Sequence, residues 1–210
     1  MPSVPVPLAV LVSGEGSNLQ ALMDQSDRTY TIAVVISDRS GIGALSRARN
    51  AGIPTEVLGW ADFVSRDDFT TAVCDTAQAH GATGLVLAGF MRILSPSAMS
   101  RFPDAIINVH PALLPSFPGA DAVEQALERG VAYTGVTVHF VDEQVDHGPI
   151  IAQRPVRVNS DDDAETLHSR IQEVEHDLFP EVVAAFARGD IHVESGRVRW
   201  KVPLHTGSVR

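Results

Sequence analysis

The chain has a single cysteine in 210 residues, Cys74. No internal disulfide can form, which suits a reducing cytoplasm, and a lone cysteine with no base beside it in sequence reads as a small apolar residue on a helix face. Cations are also scarce, with 16 Lys and Arg against 26 Asp and Glu and a formal charge of −10. Affinity for DNA or RNA comes largely from basic side chains displacing counterions, so this balance, without any basic stripe, argues against nucleic acid as a partner. A small anionic substrate stays open, because a helix N-terminus can supply positive potential locally. No apolar run is long enough to span a bilayer, and Met1-Pro2-Ser3-Val4-Pro5 lacks a basic leader start, so no membrane partner is expected. Repeats, linkers and low-complexity stretches are missing too. The length suits one domain, which would bury about two thirds of its unfolded surface.

What is present is an alternation. Short β-branched runs at 8–12, 32–36, 55–58, 85–88 and 106–109 are separated by helical patterns at 18–24, 43–51, 67–80 and 96–101. Nearly continuous apolar strands between helices indicate a parallel sheet covered on both faces, a doubly wound, Rossmann-like α/β fold. From Tyr133 the pattern changes to strict alternation through Val136, Val138 and Phe140, and a second run covers 149–158. The turn-rich 142–148 segment joins the two, which predicts an antiparallel C-terminal portion. Asp161-Asp162-Asp163 precedes a helix expected to run to Arg188, and Ser195-Gly196 predicts a hairpin of 191–194 with 197–200. The tail after Pro203 is expected to be loose. Within the one domain, 1–100 would bind a phosphate, 101–189 would carry the chemistry, and 190–210 would form the hairpin and tail.

Ser13-Gly14-Glu15-Gly16-Ser17-Asn18 follows the first strand and opens the first helix, where backbone N–H groups and the helix dipole receive phosphate. A dinucleotide site would want a third small residue where Leu19 stands, although Asp38 after the second strand could imitate its ribose-binding acid. The hydroxyl and amide of Ser17 and Asn18 suit a terminal phosphate monoester better. A turn merely capped by Ser17 is the plain alternative.

Asn108 and His110 sit two residues apart at the end of the fifth strand, and Asp146 lies 36 residues beyond the histidine in Val-Asp-His-Gly-Pro. Strand alternation directs Asn108 and His110 to one face. An amide, an imidazole and a carboxylate at the carboxyl end of a parallel sheet can together manage a tetrahedral oxyanion and its proton. The other histidines show no metal-ligand spacing, so no metal is expected.

These residues carry a resemblance. Ser-Gly-x-Gly-Ser-Asn, Leu87-Ala-Gly-Phe-Met-Arg-Ile-Leu-Ser95, Asn108-x-His-Pro-x-Leu-Leu-Pro115, and Val138-His-Phe140 leading to Asp146-x-Gly-Pro149 resemble, in order and over about 8–189, the phosphoribosylglycinamide formyltransferases of purine synthesis. The resemblance implies the formyltransferase fold and formyl transfer from 10-formyltetrahydrofolate to the amine of glycinamide ribonucleotide. Asn108, His110 and Asp146 would be catalytic. Gly16, Ser17 and Asn18 would hold the phosphate, and Gln172 and Glu175 would reach the ribose or glycinamide end. Arg66, Met91, Arg92, Ile93 and Leu94 would line the folate site, with small-molecule substrates as the only partners of a cytoplasmic monomer or homodimer. One departure is Ala120-Asp121-Ala122-Val123, where many relatives carry histidine, which leaves that loop's role open. Chemically, Asn108 N–H and a protonated His110 would donate to the oxyanion, while Asp146 would keep the imidazole charged and carry the amine proton toward the leaving nitrogen. The alternatives are a formyltetrahydrofolate hydrolase, with water as acceptor, a dehydrogenase built on the glycine turn, and a non-catalytic nucleotide-binding module.

Overall fold

The computed structural model of the protein describes residues 4–26 and 29–202, so the tail after Pro203 lies outside the described residues. Seven strands form one sheet in the order β3-β2-β1-β4-β5-β6-β7. β1 (Val6–Val12), β2 (Tyr30–Ser37), β3 (Thr55–Val57), β4 (Gly84–Leu87) and β5 (Ile106–His110) run parallel. The alternating pair β6 (Tyr133–Phe140) and β7 (Ile150–Arg157) continues the sheet antiparallel. This is the doubly wound Rossmann-like sheet expected from the pattern, and β8 (Ile191–Glu194) pairs with β9 (Arg197–Trp200) in a separate hairpin.

The helices follow from the same periodicities. α1 (Ser17–Asp24), α2 (Gly43–Asn50), α3 (Arg66–Ala79), α4 (Pro96–Arg101), α5 (Ala122–Arg129) and α6 (Ala164–Ala187) cover the sheet. α6 starts at Asp163, whose side chain accepts from the Thr166 N–H while the Thr166 hydroxyl receives the Asp163 N–H, a reciprocal cap. α5 has no counterpart in the helical patterns of the sequence. Its buried Ala122, Val123 and Ala126 form a stripe at helical spacing, and it stops at Gly130 in the left-handed region, a common helix ending. One face of the sheet packs against the first, second, fifth and sixth helices through residues such as Leu19, Leu45, Val123 and Phe179. On the other face Phe69, Val73, Cys74 and Ala98 of α3 and α4 pack against Leu11, Ile36 and Leu85. Cys74 is fully buried there, and burial pushes its thiol up to about 11, so it is an inert core residue.

In the order 3-2-1-4-5, β1 and β4 stand side by side where the chain direction of winding reverses. Ligands of such sheets collect at the carboxyl ends of the strands beside that point. The glycine turn after β1, the segment after β4 and the end of β5 all emerge on that rim.

Candidate active site

The trio is assembled as the spacing suggested. Asp146 Oδ2 lies 3.3 Å from His110 Nδ1, and Asp146 Oδ1 accepts from Asn108 Nδ2 at 3.4 Å. The Gly119 N–H donates to Asp146 Oδ2 at 2.8 Å, which ties the carboxylate to the loop leaving β5. Burial works to raise the Asp146 pKa, but His139, the Gly119 N–H and the charge of His110 outweigh it and hold the carboxyl below its usual range. It is therefore a charged, nearly buried carboxylate.

His110 is 4% exposed, and its Nε2 sits 2.7 Å from the carbonyl oxygen of Phe117. A carbonyl can only accept, so Nε2 carries the hydrogen. Burial lowers the His110 pKa, against the opposing charge of Asp146 and the Phe117 carbonyl. The resting ring is thus driven toward its neutral form, with the site for a second proton facing Asp146.

His139 belongs to this centre although its spacing gave no sign of it. It stands directly opposite Asn108 in the β5–β6 ladder. Its Nδ1 donates to the Phe140 carbonyl at 2.8 Å, so in the tautomer with its one hydrogen there Nε2 accepts from Asn108 Nδ2 at 3.1 Å. Both hydrogens of the Asn108 amide are consequently engaged at rest, one by His139 and one, more weakly, by Asp146. Opposed residues of an antiparallel pair lie within reach of each other, but which residues are opposed is a matter of register.

The loop of 111–118 has no regular structure, yet it is pinned. Thr137 is fully buried, donates to the Ala112 carbonyl at 2.6 Å and accepts from the Leu114 N–H at 3.0 Å. Gln153 on β7 donates to the Leu114 carbonyl and to Thr137 Oγ1, both at 2.9 Å. Two polar side chains of the antiparallel pair thereby stand in for a ladder.

At the glycine turn, Gly16 caps α1 with φ 79°, and a Cβ there would meet Ala44 at 2.6 Å. Both the backbone sign and the close approach of α2 require glycine. Ser17 lines a groove of about 590 Å³ between α1, α2 and α6, which also includes Gln20, Arg47 and His176. This groove runs beside the turn and does not contain the trio. Arg47 brings a cation to the turn, its Nε donating to the Glu15 carbonyl at 2.9 Å. Asn18 points elsewhere: its Nδ2 donates to Glu175 Oε2 at 2.8 Å and its Oδ1 is buried without a partner. Glu175 is 5% exposed, and burial, only partly offset by Asn18, pushes its carboxyl up to about 7. Gln172 is half-buried one turn earlier on α6.

In the segment after β4, Met91 and Ile93 are exposed at 67% and 52%, while Leu94 is buried in the core. Arg92 turns back to Asp38, Nε to Oδ2 at 2.8 Å. Arg66 lies exposed at the first position of α3, its guanidinium making no hydrogen bond among the described residues. Asp38 has a side chain with no exposed surface, so it offers nothing to a nucleotide ribose, and the dehydrogenase alternative loses its acid. Among the described residues no group of three or more His, Cys, Asp and Glu is placed to hold a metal, and no helix is long and apolar enough to cross a membrane.

Residues 6–183 match the formyl transferase family. A phosphoribosylglycinamide formyltransferase of Mycobacterium tuberculosis is 45% identical over 194 residues, covering 91% of this chain and 90% of that protein. The structure of glycinamide ribonucleotide transformylase 1 from Symbiobacterium toebii superposes with a TM-score of 0.91 at 43% identity, over 94% of this chain and 95% of that one. A trifunctional purine biosynthetic protein of Gallus gallus, adenosine-3, is 43% identical over 93% of this chain, which spans only 20% of that relative's length. The chain belongs to the formyl transferase family, and within it to the phosphoribosylglycinamide formyltransferases.

Proposed function

We propose that the protein transfers the formyl group of 10-formyltetrahydrofolate to the amine of glycinamide ribonucleotide, a step of purine biosynthesis carried out in the cytoplasm. The observation that carries this reading is the convergence of Asn108, His110 and Asp146 beside the reversal point of the sheet. Attack of the amine on the formyl carbon makes an oxyanion and an ammonium. The carbon–nitrogen bond to the folate then breaks, with one proton removed from the amine and one delivered to the departing nitrogen.

His110 Nε2–H is the first donor to the oxyanion, and the Phe117 carbonyl marks where it already receives an acceptor. Asn108 is the second, exchanging its long 3.4 Å bond to Asp146 for the substrate oxygen while His139 keeps hold of the other amide hydrogen. One such donor is worth about 3–4 kcal/mol of barrier. The proton taken from the amine is shared by the Asp146–His110 pair, where the negative charge developing beside the ring favours its residence on His110 Nδ1 until the nitrogen departs. Asp146 carries the proton from the amine toward the leaving nitrogen, within hydrogen-bond reach or through one water.

For the substrates, Ser17 and the backbone of the turn receive the phosphate, Glu175 and Gln172 take the ribose or glycinamide end, and the backbone of 91–94 takes the edge of the pterin. Asn18 acts here by positioning Glu175. The test is deformylation of 10-formyltetrahydrofolate with and without glycinamide ribonucleotide. Acceptor-dependent transfer is the expected result; loss of formyl without acceptor would mean a hydrolase, and no loss at all would leave a binding module.

Glu175 makes a separate prediction about stability. The folded chain takes up a proton on this carboxyl below about 7, the unfolded chain only near the ordinary 4.5. Between those values the folded state holds more protons, so the stability present below about 4.5 is lost as pH rises through 7, on the order of 3 kcal/mol in all. Glu175→Gln, which keeps an acceptor for Asn18, is expected to unfold at higher urea than the parent at pH 8, with a much smaller gap at pH 5. Identical midpoints at both pH values would contradict the buried, proton-hungry carboxyl.

A further inference from the structure

Asp38 is a buried carboxylate that the proposed chemistry does not use. It follows β2, its side chain has no exposed surface, and it is ion-paired on Oδ2 by Arg92 at 2.8 Å and by Arg39 at 3.5 Å. Oδ1 is buried without a hydrogen-bond partner. Burial would raise its pKa, but the Ser13 hydroxyl and the two guanidiniums outweigh that and keep it ionised. A charge held at this depth with one oxygen unpartnered is costly, and what it holds is informative.

Arg92 lies in the middle of 90–94, which belongs to no helix or strand. Met91 N–H donates to Ser13 Oγ at 2.9 Å, and the Ser13 N–H donates to the Gly89 carbonyl at 3.2 Å. Among the described residues the backbone groups of 92–94 make no hydrogen bond. The segment is therefore fixed by side chains: Arg92 and Leu94 turn inward, Met91 and Ile93 outward. The Arg92 guanidinium also lies 5.2 Å from the centre of the Trp60 ring, which closes its other side.

We infer that Asp38 is a positioning residue for the formyl donor: by anchoring Arg92 it sets the backbone of 91–94 in the presentation that receives the pterin edge, and Ser13 joins that segment to the phosphate turn. This rests on the folate reading of 91–94 proposed above. Asp38 acts only through Arg92 and does not touch substrate.

The experiment compares the full chain with Asp38→Ala and Asp38→Asn, measuring kcat and the KM of each substrate, with direct binding of tetrahydrofolate followed by quenching of tryptophan fluorescence. Removing a charge-assisted anchor is expected to raise the donor KM and the tetrahydrofolate Kd about tenfold, with ribonucleotide KM and kcat within about twofold. Asp38→Asn, whose amide oxygen still accepts from Arg92 Nε, is expected to recover most of the loss. A merely structural role would lower the unfolding temperature and disturb both substrates alike, and that result would overturn the inference, as would an unchanged donor KM. If Asp38→Ala does not fold, Arg92→Ala, which breaks the same pair from its other side, decides the matter: a raised donor-to-acceptor KM ratio supports the inference and an unchanged ratio overturns it. A parent chain that binds no tetrahydrofolate would defeat the folate reading itself; a parent that binds it with an affinity Asp38→Ala leaves untouched would defeat only the role of Asp38.

Discussion

Asp146→Asn is expected to lower turnover by roughly 10²–10³ while leaving ribonucleotide affinity within about threefold. The carboxylate faces four groups, His110 Nδ1 at 3.3 Å, His139 Nε2 at 3.6 Å, Asn108 Nδ2 at 3.4 Å and the Gly119 N–H at 2.8 Å. Two of these are N–H donors on different oxygens, so an amide in place of the carboxylate must turn its own NH2 toward one of them. The substitution also takes away the charge that favours a second proton on His110 and the base that receives the amine proton. The phosphate turn is untouched, which is why binding and turnover should separate. Single-turnover rates together with calorimetric titration of the ribonucleotide measure both quantities. Near-normal turnover in a variant that binds ribonucleotide would remove Asp146 from the chemistry.

Gly148→Ala is expected to cost about 3 kcal/mol or more of stability, and to take most of the turnover with it. A Cβ at this position would collide with the Phe140 carbonyl oxygen and meet the Phe140 carbonyl carbon at 2.9 Å and the Asp142 nitrogen at 3.1 Å. All three are backbone atoms at the end of β6, so no side chain can swing aside. The neck of the 141–149 loop is closed by the Phe140 N–H donating to the Pro149 carbonyl at 2.9 Å, and opening it would displace Asp146. Gly14→Ala is the control for stability, since a Cβ there meets nothing within 4 Å and its backbone is not left-handed. Urea unfolding of the two variants makes the comparison. A Gly148→Ala midpoint matching that of Gly14→Ala would mean that the loop yields, and the collision would have no consequence.

Much of the fold was legible because it is encoded locally. Val10, Val35 and Ile107 stand in runs with β-branched neighbours that suit a strand buried on both faces. In β6 Val136, Val138 and Phe140 alternate with Thr137 and His139, which are buried as well because they bond the 111–118 loop and Asn108. α5 was not read, since its stripe of Ala122, Val123 and Ala126 is short and weakly apolar and follows directly on a proline- and glycine-rich loop. The three side chains of the centre were legible as chemistry, an amide and an imidazole two residues apart and an aspartate in a turn. His139 was not, because its importance lies in standing opposite Asn108, and the β6 register is shifted nearby by an irregularity between Val138 and His139 against β7. Its place in the turn marks Asn18 as a phosphate ligand by sequence, yet its amide is occupied by Glu175, which lies 157 residues away in the chain.

By itself the amino-acid order determined the succession of strands and helices, the glycine that α1 needs at its cap, and the kinds of groups delivered to the rim, because propensity, periodicity and turn geometry act over a few neighbouring residues. Only the folded chain decided that Asp146 returns to His110, that His139 orients Asn108, that Glu175 is held nearly out of water and that Asp38 takes Arg92. Those pairings join segments with no local relation, and they are selected by how the whole sheet and its helices pack and by which buried polar groups can find partners.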